Sequence, residues 1–170
     1  MRAIETQVAH VGRTVCSGLV IYVLFDIGGK TALPVSRSIL NGIRVLVVED
    51  DDDTRDLLSY VLGSHGATVL LSSSVADGLA VLRKEHPHVV VTDIGMPGHN
   101  GYAFIAAVRK DEAREIRNTP TIALTAFATP TDRDIAMISG FNEYLTKPFE
   151  PGELVLTIKR LHDNSVDTAA

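Results

Sequence analysis

Residues 45–50 have the sequence Val-Leu-Val-Val-Glu-Asp, in which a short apolar run ends in two carboxylates. Similar runs end in a polar group at residues 89–93 (Val-Val-Val-Thr-Asp), 121–125 (Thr-Ile-Ala-Leu-Thr) and 144–147 (Tyr-Leu-Thr-Lys). Short apolar runs that alternate with helical patterns are typical of buried parallel strands. In an open α/β sheet, ligands bind at the carboxyl ends of such strands. We therefore expect three carboxylates, a hydroxyl and an ammonium group to converge on one crevice.

The segments between these runs have the apolar spacing of amphipathic helices. Helices are predicted at residues 52–65, 74–85, 102–110, 131–139 and 151–162, and strands at residues 43–48, 68–71, 89–92, 121–124 and 142–145. Strands that alternate with helices indicate the α/β class, here a doubly wound five-stranded parallel sheet with strand order 2-1-3-4-5.

The regular alternation begins near residue 42 and divides the chain. We expect an N-terminal extension of uncertain structure at residues 1–41, an α/β domain at residues 42–163, and a disordered polar tail at residues 164–170. The apolar run at residues 15–25 is too short to cross a bilayer as a helix, and we expect a strand or a buried helical turn there. A signal peptide is the alternative, which Glu5 and the lack of a small-x-small cleavage site disfavour.

The composition bounds the function. A chain of 170 residues with 45% hydrophobic residues can bury a core within one domain. Its net charge of -5 gives no support for nucleic-acid binding. The single cysteine, Cys16, excludes an internal disulfide and favours a reducing compartment. We expect a cytoplasmic protein with no nucleic-acid partner and no membrane association.

The carboxylates of Glu49, Asp50 and Asp93 should repel one another unless a cation lies among them. An all-oxygen site favours a hard ion, and Mg²⁺ is suited to a few carboxylates, several waters and a phosphoryl oxygen. The alternative is that residues 49–53 only place negative charge at a helix N-terminus. That alternative fits Asp52 and Asp53 but does not explain Asp93.

The motifs together resemble the receiver domain of two-component response regulators, over about residues 42 to 163. The motifs that match are Val47-Val48-Glu49-Asp50-Asp51, Thr92-Asp93-Ile94-Gly95-Met96-Pro97-Gly98, Leu124-Thr125-Ala126 and Tyr144-Leu145-Thr146-Lys147-Pro148-Phe149. The resemblance implies a flavodoxin-like (βα)5 receiver fold. It also implies a phosphoacceptor that catalyses only its own phosphorylation and dephosphorylation.

The resemblance assigns a role to each matching position. Asp93 would accept a phosphoryl group from a phosphohistidine. Mg²⁺ would be held by Asp50, by Asp93, by the Gly95 carbonyl, and by Glu49, often through water.

The remaining matches concern the phosphoryl group. Thr125 would bond one of its oxygens, and Lys147 would pair first with the acceptor carboxylate and then with the phosphoryl group. The Lys147-Pro148 bond would be cis. Gly95 and Phe127 would tune the lifetime of the phosphoryl group.

The resemblance further implies partners and a switch. The phosphodonor would be a sensor histidine kinase or a phosphotransfer protein. Tyr144 would move with phosphorylation and reshape the face formed by the fourth predicted helix, the fifth strand and the fifth helix. That face would bind a downstream protein partner, or a second copy in a homodimer formed on phosphorylation.

Alternatives remain open from the sequence. The chain is also similar to receivers at the C-terminus of hybrid sensor histidine kinases, with residues 28–41 as a linker remnant. An Asp-nucleophile phosphohydrolase would need a second Asp where Gly95 stands. A pseudo-receiver that serves only as a docking scaffold would have lost Asp93, Lys147 or the acidic pair, and none is lost.

Overall fold

The computed structural model describes residues 10–16, 19–25, 39–96, 101–126 and 129–169, with the backbone alone for residues 10–16, 19–25 and 167–169. Two antiparallel strands, β1 (His10–Cys16) and β2 (Leu19–Phe25), pair in a two-stranded sheet. Of the two alternatives expected at residues 15–25, a strand or a buried helical turn, the strand is observed, and Val15 and Cys16 belong to the preceding strand.

A five-stranded parallel sheet forms the centre of the α/β domain. Its strands are β3 (Arg44–Val48), β4 (Thr68–Ser72), β5 (Val89–Asp93), β6 (Thr121–Thr125) and β7 (Glu143–Thr146). They lie in the order β4-β3-β5-β6-β7, and every neighbouring pair is parallel. Counted from β3, this is the predicted order 2-1-3-4-5, and the predicted fold class is confirmed.

In the described part of the chain, six helices connect and flank these strands. They are α1 (Asp52–Ser64), α2 (Val75–Glu85), α3 (Gly101–Arg109), α4 (Arg114–Arg117), α5 (Pro130–Ser139) and α6 (Pro151–Ala169). The sequence did not predict α4, because four residues are too few to show a helical period. Among the described residues, no helix has the length and apolar character needed to span a bilayer.

The last helix corrects one prediction. Residues 164–169 were predicted to be disordered, whereas α6 continues to Ala169. No glycine or proline follows Gly152, so the sequence contains no helix-stopping signal there. The Ser165 hydroxyl also donates to the His162 carbonyl at 2.7 Å within this last part of the helix.

The core has two layers, one on each face of the sheet. Alternate residues of β3 point to opposite faces, as the pleat requires. Val45 and Val47 pack with α1 and α6, and Leu46 and Val48 pack with α2 and α3. Leu40 is fully buried in the first layer, so the folded domain includes residues before the predicted start at residue 42.

Local contacts fix the helix ends beside the carboxyl edge of the sheet. The Asp51 carboxylate accepts from the Thr54 N–H at 2.8 Å and caps α1. Gly101 starts α3 so close to β5 that a Cβ there would lie 2.6 Å from the Asp93 carbonyl oxygen. These contacts place the first turns of α1 and α3 against the ends of β3 and β5.

Candidate functional site

The parallel strands end at one edge of the sheet, and polar side chains follow several of these ends. Glu49 and Asp50 follow β3, Asp93 ends β5, and Lys147 follows β7. Glu49, Asp50 and Asp93 each offer a carboxylate oxygen within 4.8 Å of the others. Glu49 and Asp93 are buried, and Asp50 is exposed. The structure therefore brings together the three carboxylates that the sequence selected.

The Lys147 side chain reaches into this cluster. Its Nζ lies 3.0 Å from Glu49 Oε2 and 3.1 Å from Asp93 Oδ1, and only 10% of the side chain is exposed. The Lys147 N–H donates to the Thr125 carbonyl at 2.7 Å, which ties the loop after β7 to the end of β6. The Lys147-Pro148 bond is cis, as the resemblance implied.

Burial and charge act in opposite directions on the ionisable groups of the cluster. Burial raises the pKa of Glu49 above its ordinary value, although the Lys147 ammonium works against that rise. Burial alone would lower the pKa of Lys147, but Glu49 and Asp93 together raise it. The cluster thus contains three carboxylates and one ammonium group, and its net charge is negative when all of them are ionised. This excess charge and the all-oxygen donor set fit a divalent hard cation.

Thr125 and Tyr144 form a second contact beside the cluster. Thr125 ends β6 and is buried. Its side chain is hydrogen-bonded to Tyr144, and burial raises the pKa of that half-buried phenol. The two residues that the resemblance assigns to the switch are therefore in direct contact.

Gly95 is exposed two residues after Asp93. A Cβ at this position would lie 3.2 Å from Asp93 Oδ2, so any side chain here would crowd that oxygen. The assignment of the Gly95 carbonyl as an ion ligand stays a prediction. Phe127, the other position expected to tune phosphoryl lifetime, lies outside the described residues.

Arg55 is a residue of the site that the sequence analysis missed. From the first turn of α1, its Nη1 donates to the Glu49 carbonyl at 2.9 Å. A contact with a backbone carbonyl leaves no pattern of residue types. Only the position of Arg55 shortly after the acidic run, on a helix that starts at the site, could have indicated it.

Comparison with known proteins defines the class of this chain. The family described as the response regulator receiver domain matches residues 45–159. This match covers more than half of the 170 residues, and the chain belongs to the response regulator receiver family of two-component systems.

Relatives support this membership. An uncharacterized 14.6 kDa protein of Leptolyngbya boryana is 43% identical over 116 residues, which are 68% of this chain and 87% of that protein. Protein PilH of Pseudomonas aeruginosa is 36% identical over 115 residues, which are 68% of this chain and 93% of PilH. The sensor histidine kinase CheAY of Helicobacter pylori is 35% identical over 118 residues, but the match spans 68% of this chain and only 14% of that kinase.

Solved structures of receiver domains have the same fold as this chain. The receiver domain of the Francisella response regulator 1452 superposes with a TM-score of 0.68 at 26% identity, covering 73% of this chain and 99% of that domain. The receiver domain of sensor histidine kinase PA1611 from Pseudomonas aeruginosa superposes with a TM-score of 0.65 at 30% identity, covering 72% of this chain and 98% of that domain. The latter is described with a magnesium ion coordinated in its active site cleft.

Proposed function

We propose that this chain is a phosphoacceptor in a two-component phosphorelay, and that Asp93 accepts the phosphoryl group from a phosphohistidine. The donor is a sensor histidine kinase or a phosphotransfer protein. The observation that supports this most strongly is the Lys147 ammonium group, which bridges Glu49 and Asp93 next to Asp50. An ion pair that only stabilises the fold would need one carboxylate. Here three carboxylates lie beside one ammonium group, and the excess negative charge is suited to a cation that in turn binds a phosphoryl group.

The residues present fit Mg²⁺. Asp50, Asp93 and the Gly95 carbonyl would hold the ion, and Glu49 would act through water. When bound, the ion neutralises charge on a phosphoryl oxygen, which is the main requirement of phosphoryl transfer. The magnesium ion described in the active site cleft of the PA1611 receiver supports a Mg²⁺ site in the present chain, which has the same fold.

The acceptor oxygen follows from the contacts of Asp93. Oδ1 is held by Lys147 at 3.1 Å, and Oδ2 lies on the side of Gly95, where no side chain crowds it. In the proposed step Oδ2 attacks phosphorus, a P–O bond forms, and the P–N bond to the donor histidine breaks with its electron pair moving to the ring nitrogen. Lys147 and the Thr125 hydroxyl then stabilise the phosphoryl oxygens.

The switch follows from the Thr125–Tyr144 contact. A phosphoryl group adds strong acceptor oxygens, which attract the Thr125 hydroxyl. The hydrogen bond between Thr125 and Tyr144 is then lost, and Tyr144 moves toward the space that Thr125 leaves. We expect the Tyr144 ring resonances in an NMR spectrum to shift when beryllofluoride and Mg²⁺ are added, since beryllofluoride mimics the phosphoryl group. Unchanged Tyr144 resonances, with those of Asp93 shifted, would contradict the switch.

The face formed by α5, β7 and α6 exposes apolar side chains that suit a protein partner. Ile135 and Ile138 on α5 are 47% and 87% exposed, and Leu156 on α6 is 60% exposed. Exposed apolar residues that lie together on a surface are typical of protein-binding sites. We assign the face formed by α5, β7 and α6 to a downstream partner or to a second copy of the phosphorylated chain.

A second possibility is the same phosphoryl transfer to Asp93 within a larger protein, a hybrid sensor histidine kinase. Receivers within sensor histidine kinases, CheAY and PA1611, are among the relatives. The chain would then work as the receiver module of a hybrid kinase. We place the domain in the cytoplasm in either context, which agrees with the single cysteine of the chain.

The proposal is tested by incubation with acetyl phosphate and Mg²⁺, followed by measurement of the intact mass. The wild type should gain the mass of one phosphoryl group, and Asp93→Asn should gain none. Asp163→Asn, which changes an exposed carboxylate on α6, serves as the matched control and should react as the wild type does. A wild type that stays unmodified while Mg²⁺ is bound would contradict the proposal.

A further inference from the structure

Arg55 reaches back from α1 over the loop that carries the acidic pair. Nη1 donates to the Glu49 carbonyl at 2.9 Å, and Nη2 is ion-paired with Asp52. The Arg55 side chain is 17% exposed, whereas that of Asp52 is 83% exposed. The guanidinium is therefore packed over the loop and does not extend into solvent as a surface arginine does.

The hydrogen bond from Arg55 to the Glu49 carbonyl restricts the backbone of the acidic pair. It belongs to the peptide plane that joins Glu49 to Asp50, and a peptide plane moves as one rigid unit. On the other side of the Glu49 Cα, the Glu49 N–H donates to the Ser72 carbonyl at 3.0 Å. Both planes that flank this Cα are thus fixed by hydrogen bonds. The direction in which Glu49 and Asp50 present their carboxylates is limited accordingly.

We propose that Arg55 is a positioning residue for the divalent-ion site, because it fixes the peptide plane between Glu49 and Asp50 and so directs both carboxylates toward Asp93. This inference rests on the proposed function, since it concerns the ion of the same site. Arg55 acts through the backbone of Glu49 and is not assigned a contact with the phosphoryl group.

The charge of Arg55 makes the inference sharply testable. A positive guanidinium near the site repels a bound cation, so removal of that charge alone should strengthen Mg²⁺ binding. Loss of the positioning contact should weaken it, because removing a group that orients ion ligands typically lowers metal affinity by about 10- to 100-fold. The two effects have opposite signs, and we expect positioning to dominate.

The experiment is calorimetric titration of the full chain with Mg²⁺ alone. Arg55→Gln should raise the dissociation constant roughly tenfold. Arg83→Gln removes the same charge from the last turn of α2, and Asp52→Asn removes only the exposed partner of Arg55. Both controls should bind Mg²⁺ as the wild type does. Arg55→Lys should lose less affinity than Arg55→Gln, because an ammonium group can still donate to the Glu49 carbonyl.

A kinetic measurement separates positioning from a general structural defect. With acetyl phosphate as donor, Arg55→Gln should raise the Mg²⁺ concentration for half-maximal phosphorylation by the same factor and leave the maximal rate unchanged. Equal or tighter Mg²⁺ binding by Arg55→Gln would overturn the role of Arg55. If Arg55→Gln does not fold, Arg55→Met is measured instead, because methionine cannot donate to the Glu49 carbonyl, and Mg²⁺ binding by Arg55→Met equal to that of the wild type overturns the role. A wild type that binds no Mg²⁺ would overturn the proposed function itself.

Discussion

At the scale of single residues, Glu49 carries a carboxylate whose ionised form is destabilised by burial. The carboxylate is buried beside Asp93, and Lys147 is the ammonium group that faces both. Burial raises the pKa of Glu49 above 4.5, so the folded state takes up a proton at a higher pH than the unfolded chain does. Ionised Glu49 is therefore less favourable in the ion-free fold than in the unfolded chain.

This imbalance predicts a pH dependence of stability. In EDTA, the free energy of unfolding of the wild type should increase relative to that of Glu49→Gln as the pH falls from neutral toward 4.5. The measurement is urea unfolding of both proteins across this pH range. A difference that is constant, or that decreases toward acid pH, would contradict the burial of an ionised Glu49.

Gly101 gives a second prediction at this scale. A Cβ at Gly101 would lie 2.6 Å from the Asp93 carbonyl oxygen and 3.0 Å from the Ile94 Cα, both backbone atoms that cannot turn aside. Gly101→Ala should lower the free energy of unfolding by about 1–3 kcal/mol. Gly63→Ala is the matched control, because nothing lies within 4 Å of a Cβ in that α1 position. It should stabilise the protein by up to about 1 kcal/mol, and urea unfolding measures both.

At the scale of elements, Arg109 on α3 connects three segments that lie near β6: the end of α5, the segment after α4 and the segment before β7. Its guanidinium donates to the carbonyls of Gly140, Arg117 and Thr119 at 2.7–2.9 Å, and to Asn142 Oδ1 at 2.8 Å. These bonds fix the end of α5 to the segments that follow α4 and precede β7. The C-terminal end of α5 is thereby anchored, and we expect the proposed movement on phosphorylation to occur at the end of α5 nearer to Thr125.

The anchor predicts a large effect of a conservative change. Arg109→Lys cannot make all four bonds and leaves partly buried carbonyls unsatisfied, each at up to about 1–3 kcal/mol. We expect a loss of at least about 2 kcal/mol in the free energy of unfolding. Arg133→Lys, an exposed change on α5, should alter it little. Hydrogen exchange should also accelerate at the C-terminal end of α5 in Arg109→Lys, and unchanged protection there would contradict the anchor.

The elements also show how far the sequence could predict this protein. The five strands of the sheet and their flanking helices were predictable, because apolar periods and capping residues such as Ser74 mark them locally. The short helix α4 was not, since it depends on tertiary contacts such as the burial of Ile116 and the bond from Arg109 on α3 to the Arg117 carbonyl.

The residues of the site also differ in whether the sequence could predict them. The acidic residues and Lys147 could be selected because each ends or follows a predicted strand, and parallel strands end at one edge. Arg55 could not be selected, because the contact that joins it to the site is with the Glu49 backbone carbonyl, and every residue type has such a carbonyl.

At the scale of the whole molecule, the proposed Mg²⁺ site predicts that ion binding stabilises the folded state. A ligand that binds only the folded state stabilises it by an amount that grows with its concentration, about 2.7 kcal/mol at 100 times its dissociation constant. Mg²⁺ should therefore raise the melting temperature of the wild type. In Asp50→Asn the rise should be much smaller, and this variant should be more stable than the wild type in EDTA because one of three neighbouring carboxylates is neutral. A Mg²⁺-induced rise of equal size in both proteins would place the ion elsewhere.

The central claim is that Asp93 carries the phosphoryl group as an acyl phosphate. The most direct measurement is borohydride reduction of the phosphorylated chain, which converts an aspartyl phosphate into homoserine, followed by peptide sequencing in a mass spectrometer. Homoserine at position 93, dependent on Mg²⁺ during phosphorylation, is the result that we predict. Homoserine at Asp50 or at any other aspartate, with Asp93 unmodified, would contradict the account.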